Sequence, residues 1–134
     1  MNYLKVLCAF SIVSLIACSE NPVTAPLSPV GDWFYTDQVV FNDENVPENV
    51  TIKVKSDNTF QTIGLVSNGS VTITYFVTSG IWSFSGNSVT FNSNNCQLFD
   101  ETTSLLAAVD CASPYTLVLN GDKMTDGSLI ISRK

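Results

Sequence analysis

The chain contains no histidine. That removes the commonest general base and the commonest metal ligand, so Ser-His-Asp and Cys-His nucleophile systems and histidine-containing zinc sites are excluded. Charge is scarce as well. Only 13% of the 134 residues are charged, with six Lys and Arg against twelve Asp and Glu for a net charge of −6. Lys53, Lys55, Lys123, Arg133 and Lys134, the basic residues beyond the N-terminal stretch, form no patch. Phosphate binding needs clustered Lys and Arg, so no nucleic-acid partner is expected. Long apolar runs are missing too: the longest, Val6 to Ile16, has eleven residues, short of the about 20 that a transmembrane helix needs. No internal repeat is visible, and no cofactor or metal is expected. The segment Asn120 to Asp126 has Met124 where a calcium loop requires an oxygen ligand, so Asp122 and Asp126 read as turn residues. Asp43, Glu44 and Glu48 read in the same way, and nothing places two carboxylates together in a cleft. No enzyme is expected.

What the chain does have begins with a leader. One Lys precedes the apolar run, which ends in Leu15-Ile16-Ala17-Cys18. This fits a signal peptide, and the tetrapeptide resembles the lipobox of bacterial lipoproteins. That resemblance implies cleavage after Ala17 and acylation of Cys18, palmitate included, so the first expected partner is a membrane. The alternative is an ordinary secretory signal cut near Ala17. Cysteine parity supports the lipoprotein reading: the leader takes Cys8 and acylation takes Cys18, leaving Cys96 and Cys111 as an even pair. Ser19 after the anchor is not the Asp that resembles an inner-membrane retention signal, so a lipid anchor in the outer membrane is favoured over the inner. The expected division is a signal peptide over 1–17, the lipidated Cys18 with a Pro-rich tether over 18–29, and one domain over 30–134. A domain of about 105 residues is large enough to bury a core.

From Gly31 onward, short alternating segments are separated by turn residues. Gly31 to Phe41 is aromatic and β-branched. Glu48 to Lys55 sets Val50, Ile52 and Val54 on one face, and Ser70 to Thr78 alternates Val71, Ile73, Tyr75 and Val77 with threonines and Phe76. Gly86-Asn87 suits a hairpin turn. Further strands are expected at 59–66, 81–85, 88–92, 115–119 and 128–133, with a short rung at 123–125. Seven or eight strands at such spacing predict a small antiparallel up-and-down β-barrel, with a β-sandwich as the alternative. The exception is Asp100 to Asp110, where a short helix near 102–109 is expected.

Cys96 and Cys111 bracket that segment, and in an oxidising compartment they are expected to form a disulfide; a loop of about 15 residues is worth roughly 3 kcal/mol on the chain-entropy estimate. A redox-active pair is the alternative, without Cys-x-x-Cys spacing or a neighbouring cation to support it. Aromatics alternate along the first and fifth expected strands as Trp33, Tyr35, Trp82 and Phe84. Such residues ordinarily fill a core; the functional reading makes Trp33, Tyr35, Phe60 and Trp82 the lining of a ligand cavity. Two glycosylation-type sequences, at Asn49 and Asn68, carry meaning only in a eukaryotic secretory path.

Val30-Gly31-Asp32-Trp33, Asp57-Asn58-Thr59-Phe60 and the run Gly80-Ile81-Trp82-Ser83-Phe84-Ser85-Gly86-Asn87-Ser88-Val89-Thr90-Phe91 resemble the bacterial lipocalin-like domain lipoproteins. The closing Leu129-Ile130-Ile131-Ser132-Arg133 is also similar to their final strands. The resemblance implies an up-and-down barrel, and the Cys96 to Cys111 insert departs from it. Two functions are then in view. The first is a membrane-anchored, non-enzymatic barrel that binds a small apolar or amphipathic ligand, which requires an interior pocket above about 300 Å³. The second is an interaction module, such as a periplasmic inhibitor or an envelope structural component, that meets an envelope protein through the 92–113 loop and its Leu105-Leu106 pair.

Overall fold

A computed structural model describes residues 26–134. The leader, Cys18 and the first part of the tether lie outside the described residues. The rest is all β, with strands β1 (Gly31–Phe41), β2 (Glu44–Val54), β3 (Thr59–Asn68), β4 (Val71–Ser85), β5 (Ser88–Asp100), β6 (Leu105–Val109), β7 (Tyr115–Asn120), β8 (Lys123–Thr125) and β9 (Ile130–Arg133). Every pairing is antiparallel. The sheet order is β4-β3-β2-β1-β9-β8-β7-β5-β6, and a β4–β5 pairing closes eight strands into an up-and-down barrel, with β6 added on the outer half of β5. Among the described residues there is no second sheet and no helix.

Local chemistry explains the reversals. Asn42 and Asp43 adopt φ of 51° and 62°, the positive pair that a two-residue I′ hairpin demands. At the base of the β4–β5 hairpin Gly86 alone of its turn pair is positive, at 64°, as a II′ turn requires. Strand β2 starts earlier than its hydrophobic alternation indicates, because the β1–β2 ladder runs unbroken to Phe41↔Glu44. Pro47 is tolerated inside it because the β2–β3 ladder begins only at Glu48, so no bond on that side needs the N–H that proline lacks.

The helix expected near 102–109 is a β-hairpin instead. Asp100 does cap a single turn: its carboxylate accepts from Thr102 N at 2.8 Å, and Ser104 N donates to the Asp100 carbonyl at 2.8 Å. Ser104 then takes φ of 58°, which ends the turn, and Leu105 to Val109 pair with Asp100 to Cys96. Ladder bonds along five register pairs outweigh the local helical pattern. Cys96 and Cys111 form the expected disulfide, with Cα atoms 5.4 Å apart, across the end of this hairpin.

The barrel encloses one main core of Trp33, Val50, Ile52, Val54, Phe60, Val89, Phe91, Leu117, Leu119, Met124 and Ile131. Strands β1 to β6 continue above it, where Phe41, Val46 and Val66 form a second buried cluster with Val39, Ile73, Tyr75 and Phe99. The β7–β9 side is short. Strand β9 accompanies β1 only at Trp33 and Phe34, so from Tyr35 upward β1 has a neighbour on one side alone.

Candidate functional site

Between the two apolar clusters lies a polar belt. Alternation along β1 sets Trp33, Tyr35, Asp37, Val39 and Phe41 on the inner face, from core to upper cluster, and the β1–β2 register pairs Trp33 with Ile52, Tyr35 with Val50, Asp37 with Glu48 and Val39 with Val46. Two carboxylates therefore face each other across neighbouring strands, where directly opposed Cβ atoms stand about 4.5–5.5 Å apart. Asp37 is exposed, at the edge that β9 does not cover. Glu48 is only 4% exposed. The expectation that Glu48 is a solvated turn residue is thus corrected: the hairpin extends beyond it and carries it inside. Asp43 and Glu44, at the turn itself, are exposed.

Below this pair is a cavity of about 210 Å³. Tyr35, Thr62 and Tyr115 give its wall a polar side, and Ile52, Phe76, Leu129 and Ile131 an apolar one; Cys96, Ala112 and Ser113 border it beside the disulfide. Thr62 is 5% exposed and its hydroxyl has no hydrogen-bond partner; one Glu48 carboxyl oxygen, Oε1, is likewise buried and unpartnered. The Tyr115 hydroxyl approaches Thr62 closely enough to favour its phenolate slightly, but without hydrogen-bonding geometry. Gly64 makes room for Glu48. A side chain there would run into Glu48 Oε1 and the Phe76 ring, so the bare backbone lets the carboxyl lean toward an aromatic of the cavity wall.

The electrostatics follow from burial. Desolvation first, then the nearby Glu48 and Asp37 charges, push the Tyr35 hydroxyl up to about 12. Tyr115 is also raised to about 12, by desolvation and then by Tyr35. Burial and then Asp37 hold the Glu48 carboxyl above its ordinary value.

Of the four aromatics expected to line a ligand cavity, Tyr35 alone lines this one. Trp33 and Phe60 are 0% and 2% exposed in the core, and Trp82 is half-buried near the base, its Nε1 donating to the Lys55 carbonyl at 2.9 Å. At about 210 Å³ the cavity does not reach the about 300 Å³ that the ligand-binding expectation required, so that requirement is not met and only a smaller molecule fits. Sequence reasoning passed over Thr62, Phe76, Tyr115, Asp37 and the depth of Glu48. The usable signal was the polar Thr62 and Glu48 at inward positions of otherwise apolar strands. Asp126 accepts from Ser128 N and Leu129 N at 2.9 Å, which lowers its carboxyl to about 2 and confirms a turn role. Among the described residues no group of three or more acidic or cysteine side chains is arranged to hold a metal ion.

No protein-family model matches the chain, and neither a curated protein nor a solved structure matches it significantly.

Proposed function

We propose that the chain is a membrane-anchored, non-enzymatic lipoprotein of lipocalin-like build, held in the cell envelope through acylated Cys18, that binds a small amphipathic molecule at the waist of its barrel. The observation that carries the ligand is the cavity of about 210 Å³ at the waist, lined by the polar side chains of Tyr35, Thr62 and Tyr115 together with the apolar Ile52, Phe76, Leu129 and Ile131. The size favours a ligand of about nine non-hydrogen atoms, scaled from the ~150 Å³ cavity that holds benzene. Native mass spectrometry of the protein extracted from its own membrane tests this reading. A diacyl or triacyl mass at the N-terminus with a co-purifying small molecule supports it; an unmodified chain with nothing bound contradicts it.

A second reading, an interaction module, has its own observation. Strand β6 ends the sheet order, and its Leu105 and Val109 are 67% and 45% exposed. An apolar open edge is a template for a partner's strand. If Leu105→Lys with Val109→Lys abolishes capture of an envelope protein while the small molecule still co-purifies, that reading gains over the first.

A further inference from the structure

We infer that the end of the barrel at which the chain enters is a docking face for anionic phospholipid, which holds the domain base-down on the bilayer that takes the Cys18 anchor. This rests on the proposed lipoprotein reading and adds how the domain stands on its membrane.

The basic residues beyond the leader form no patch along the sequence, yet the fold gathers all of them at one end. Lys53 stands opposite Asp32 across β2 and β1, and Lys134 N donates to the Asp32 carbonyl at 2.9 Å. Arg133 stands opposite Trp33, and Lys123 opposite Ser132 across β8 and β9. Adjacent strands β2, β1, β9 and β8 thus bring Lys53, Lys134, Arg133 and Lys123 within three strand spacings, about 14 Å along the barrel wall. Lys55 ends β2 in a turn pinned by Trp82, whose backbone N donates to the Asn58 carbonyl and whose Nε1 donates to the Lys55 carbonyl, both at 2.9 Å. The four lysines are exposed. Against these cations the same end carries only Asp32, Asp57 and Asp122, and Asp122 is engaged by Arg133 at 3.4 Å.

The opposite end is acidic. Its β1–β2 turn carries Asp43 and Glu44 and its β5–β6 turn Asp100 and Glu101, and among the described residues no cation accompanies them. An anionic leaflet therefore attracts one end of the barrel and repels the other. The attraction is felt only within about a Debye length, roughly 8–10 Å, so the basic end must be delivered to the surface. The chain's own entry does that, independently of the charges. Arg133 holds the Val30 and Ser28 carbonyls at 2.8 and 2.7 Å on this end. Cys18 is joined to it through residues 18–27, which span at most about 35 Å even fully extended. Anchor and charge select the same end. The acidic end and the waist cavity are then left facing away from the bilayer.

The test is paramagnetic broadening of the full, isotope-labelled acylated chain in nanodiscs doped with a nitroxide-headgroup lipid, once in phosphatidylcholine alone and once rich in phosphatidylglycerol. The amides of Asn58, Asn87 and Asp122, in the turns of the basic end, are expected to broaden at least about threefold more in the anionic bilayer, within what one lysine near such a surface contributes. The excess is expected to vanish at about 1 M salt, where the Debye length is about 3 Å. Gly69 and Glu101, in turns of the far end, are expected to broaden little in either bilayer. Lys53→Gln with Lys55→Gln and Lys123→Gln, all at exposed positions, is expected to abolish the excess; Asp43→Asn with Glu44→Gln, which changes the net charge at the far end, is expected to leave it. Equal broadening in the two bilayers, or an excess that survives the lysine substitutions, overturns the docking face, and stronger broadening at Glu101 than at Asn87 overturns the orientation. The N-terminal mass of the same sample reads the anchor separately. An unacylated chain fails the lipoprotein reading, whereas an acylated chain with equal broadening fails the docking face alone.

Discussion

The Arg133 guanidinium lies over the Trp33 ring, its central carbon 4.3 Å from the ring centroid. The same group donates to the carbonyls of Val30 at 2.8 Å and Ser28 at 2.7 Å, while Trp33 Nε1 donates to the Pro29 carbonyl at 2.7 Å. One residue from each end of the domain thus ties down the stretch that leads into the barrel. The tether expected over 18–29 is therefore not wholly a spacer, since its last residues are part of the base.

Replacing Arg133 with Ala is expected to destabilise the barrel by about 3 kcal/mol, from charge-assisted hydrogen bonds worth about 1.5–3 kcal/mol and a cation–π contact of about 1 kcal/mol. Arg133→Lys keeps the charge but loses the planar fork and is expected to recover less than half of that. Urea denaturation followed by tryptophan fluorescence checks both. Equal stability of the wild type and the lysine variant contradicts the role of the fork.

Glu48 gives a pH dependence with a defined sign. Its folded-state value is raised by burial and by Asp37, so folding favours the protonated acid. That contribution is fully present below the unfolded value and is lost as pH rises through the folded one. Glu48→Gln is therefore expected to be more stable than the wild type at pH 8, with the difference shrinking toward pH 4. Urea midpoints at the two pH values measure it. A variant weaker than the wild type at pH 8 contradicts an unpaired buried carboxylate.

Gly64→Ala places a methyl group against Glu48 Oε1 and the Phe76 ring. Overpacking of this kind costs about 1–3 kcal/mol, and a shift of Phe76 deforms the cavity. The melting temperature and the affinity for 2-phenylethanol are both expected to fall. An unchanged melting temperature indicates that the carboxyl does not rest on Gly64.

Cys96→Ser with Cys111→Ser opens a loop of sequence separation 15, with an expected loss of about 3 kcal/mol on the chain-entropy estimate. The loss is expected to be local. Hydrogen exchange should quicken in Leu105–Val109 and around Ala112 and Ser113, while Val50, Ile52 and Leu117 in the barrel core keep their protection. Uniform deprotection of the core contradicts a clasp confined to the β5–β6 hairpin.

These outcomes bear on how much of the molecule its amino acids announce. The strand from Glu48 to Val54 was legible because one face is buried and the alternation is local, and the turns because Asn42-Asp43 and Gly86 tolerate positive φ; along Val71 to Thr78 the alternation breaks at the bulge opposite Gly64 and Leu65, so Phe76 and Thr78 line the cavity although the pattern set them on the other face from Ile73 and Tyr75. Residues 102–109 misled because an Asp cap followed by Leu and Ala imitates a helix start, whereas the deciding pairing with Cys96 to Asp100 is set by tertiary closure. The site was the least legible part. Whether Glu48 belongs to a turn or to an interior depends on how far a hairpin runs past Pro47, and nothing within a few residues of Glu48 specifies that. Tyr115 and Thr62 come near each other only because the β4–β5 closure brings β7 round toward β3.

The most direct test of a ligand site at the barrel's waist is a methyl-labelled NMR titration with 2-phenylethylammonium and, separately, with 2-phenylethanol. The expected result is saturable shifts at Ile52, Leu129 and Ile131, which line the cavity, with Val39, Val46 and Ile73 in the upper cluster less affected. Shifts confined to exposed Leu105, Val109 and Val40, or no saturable shift with either probe, contradict it.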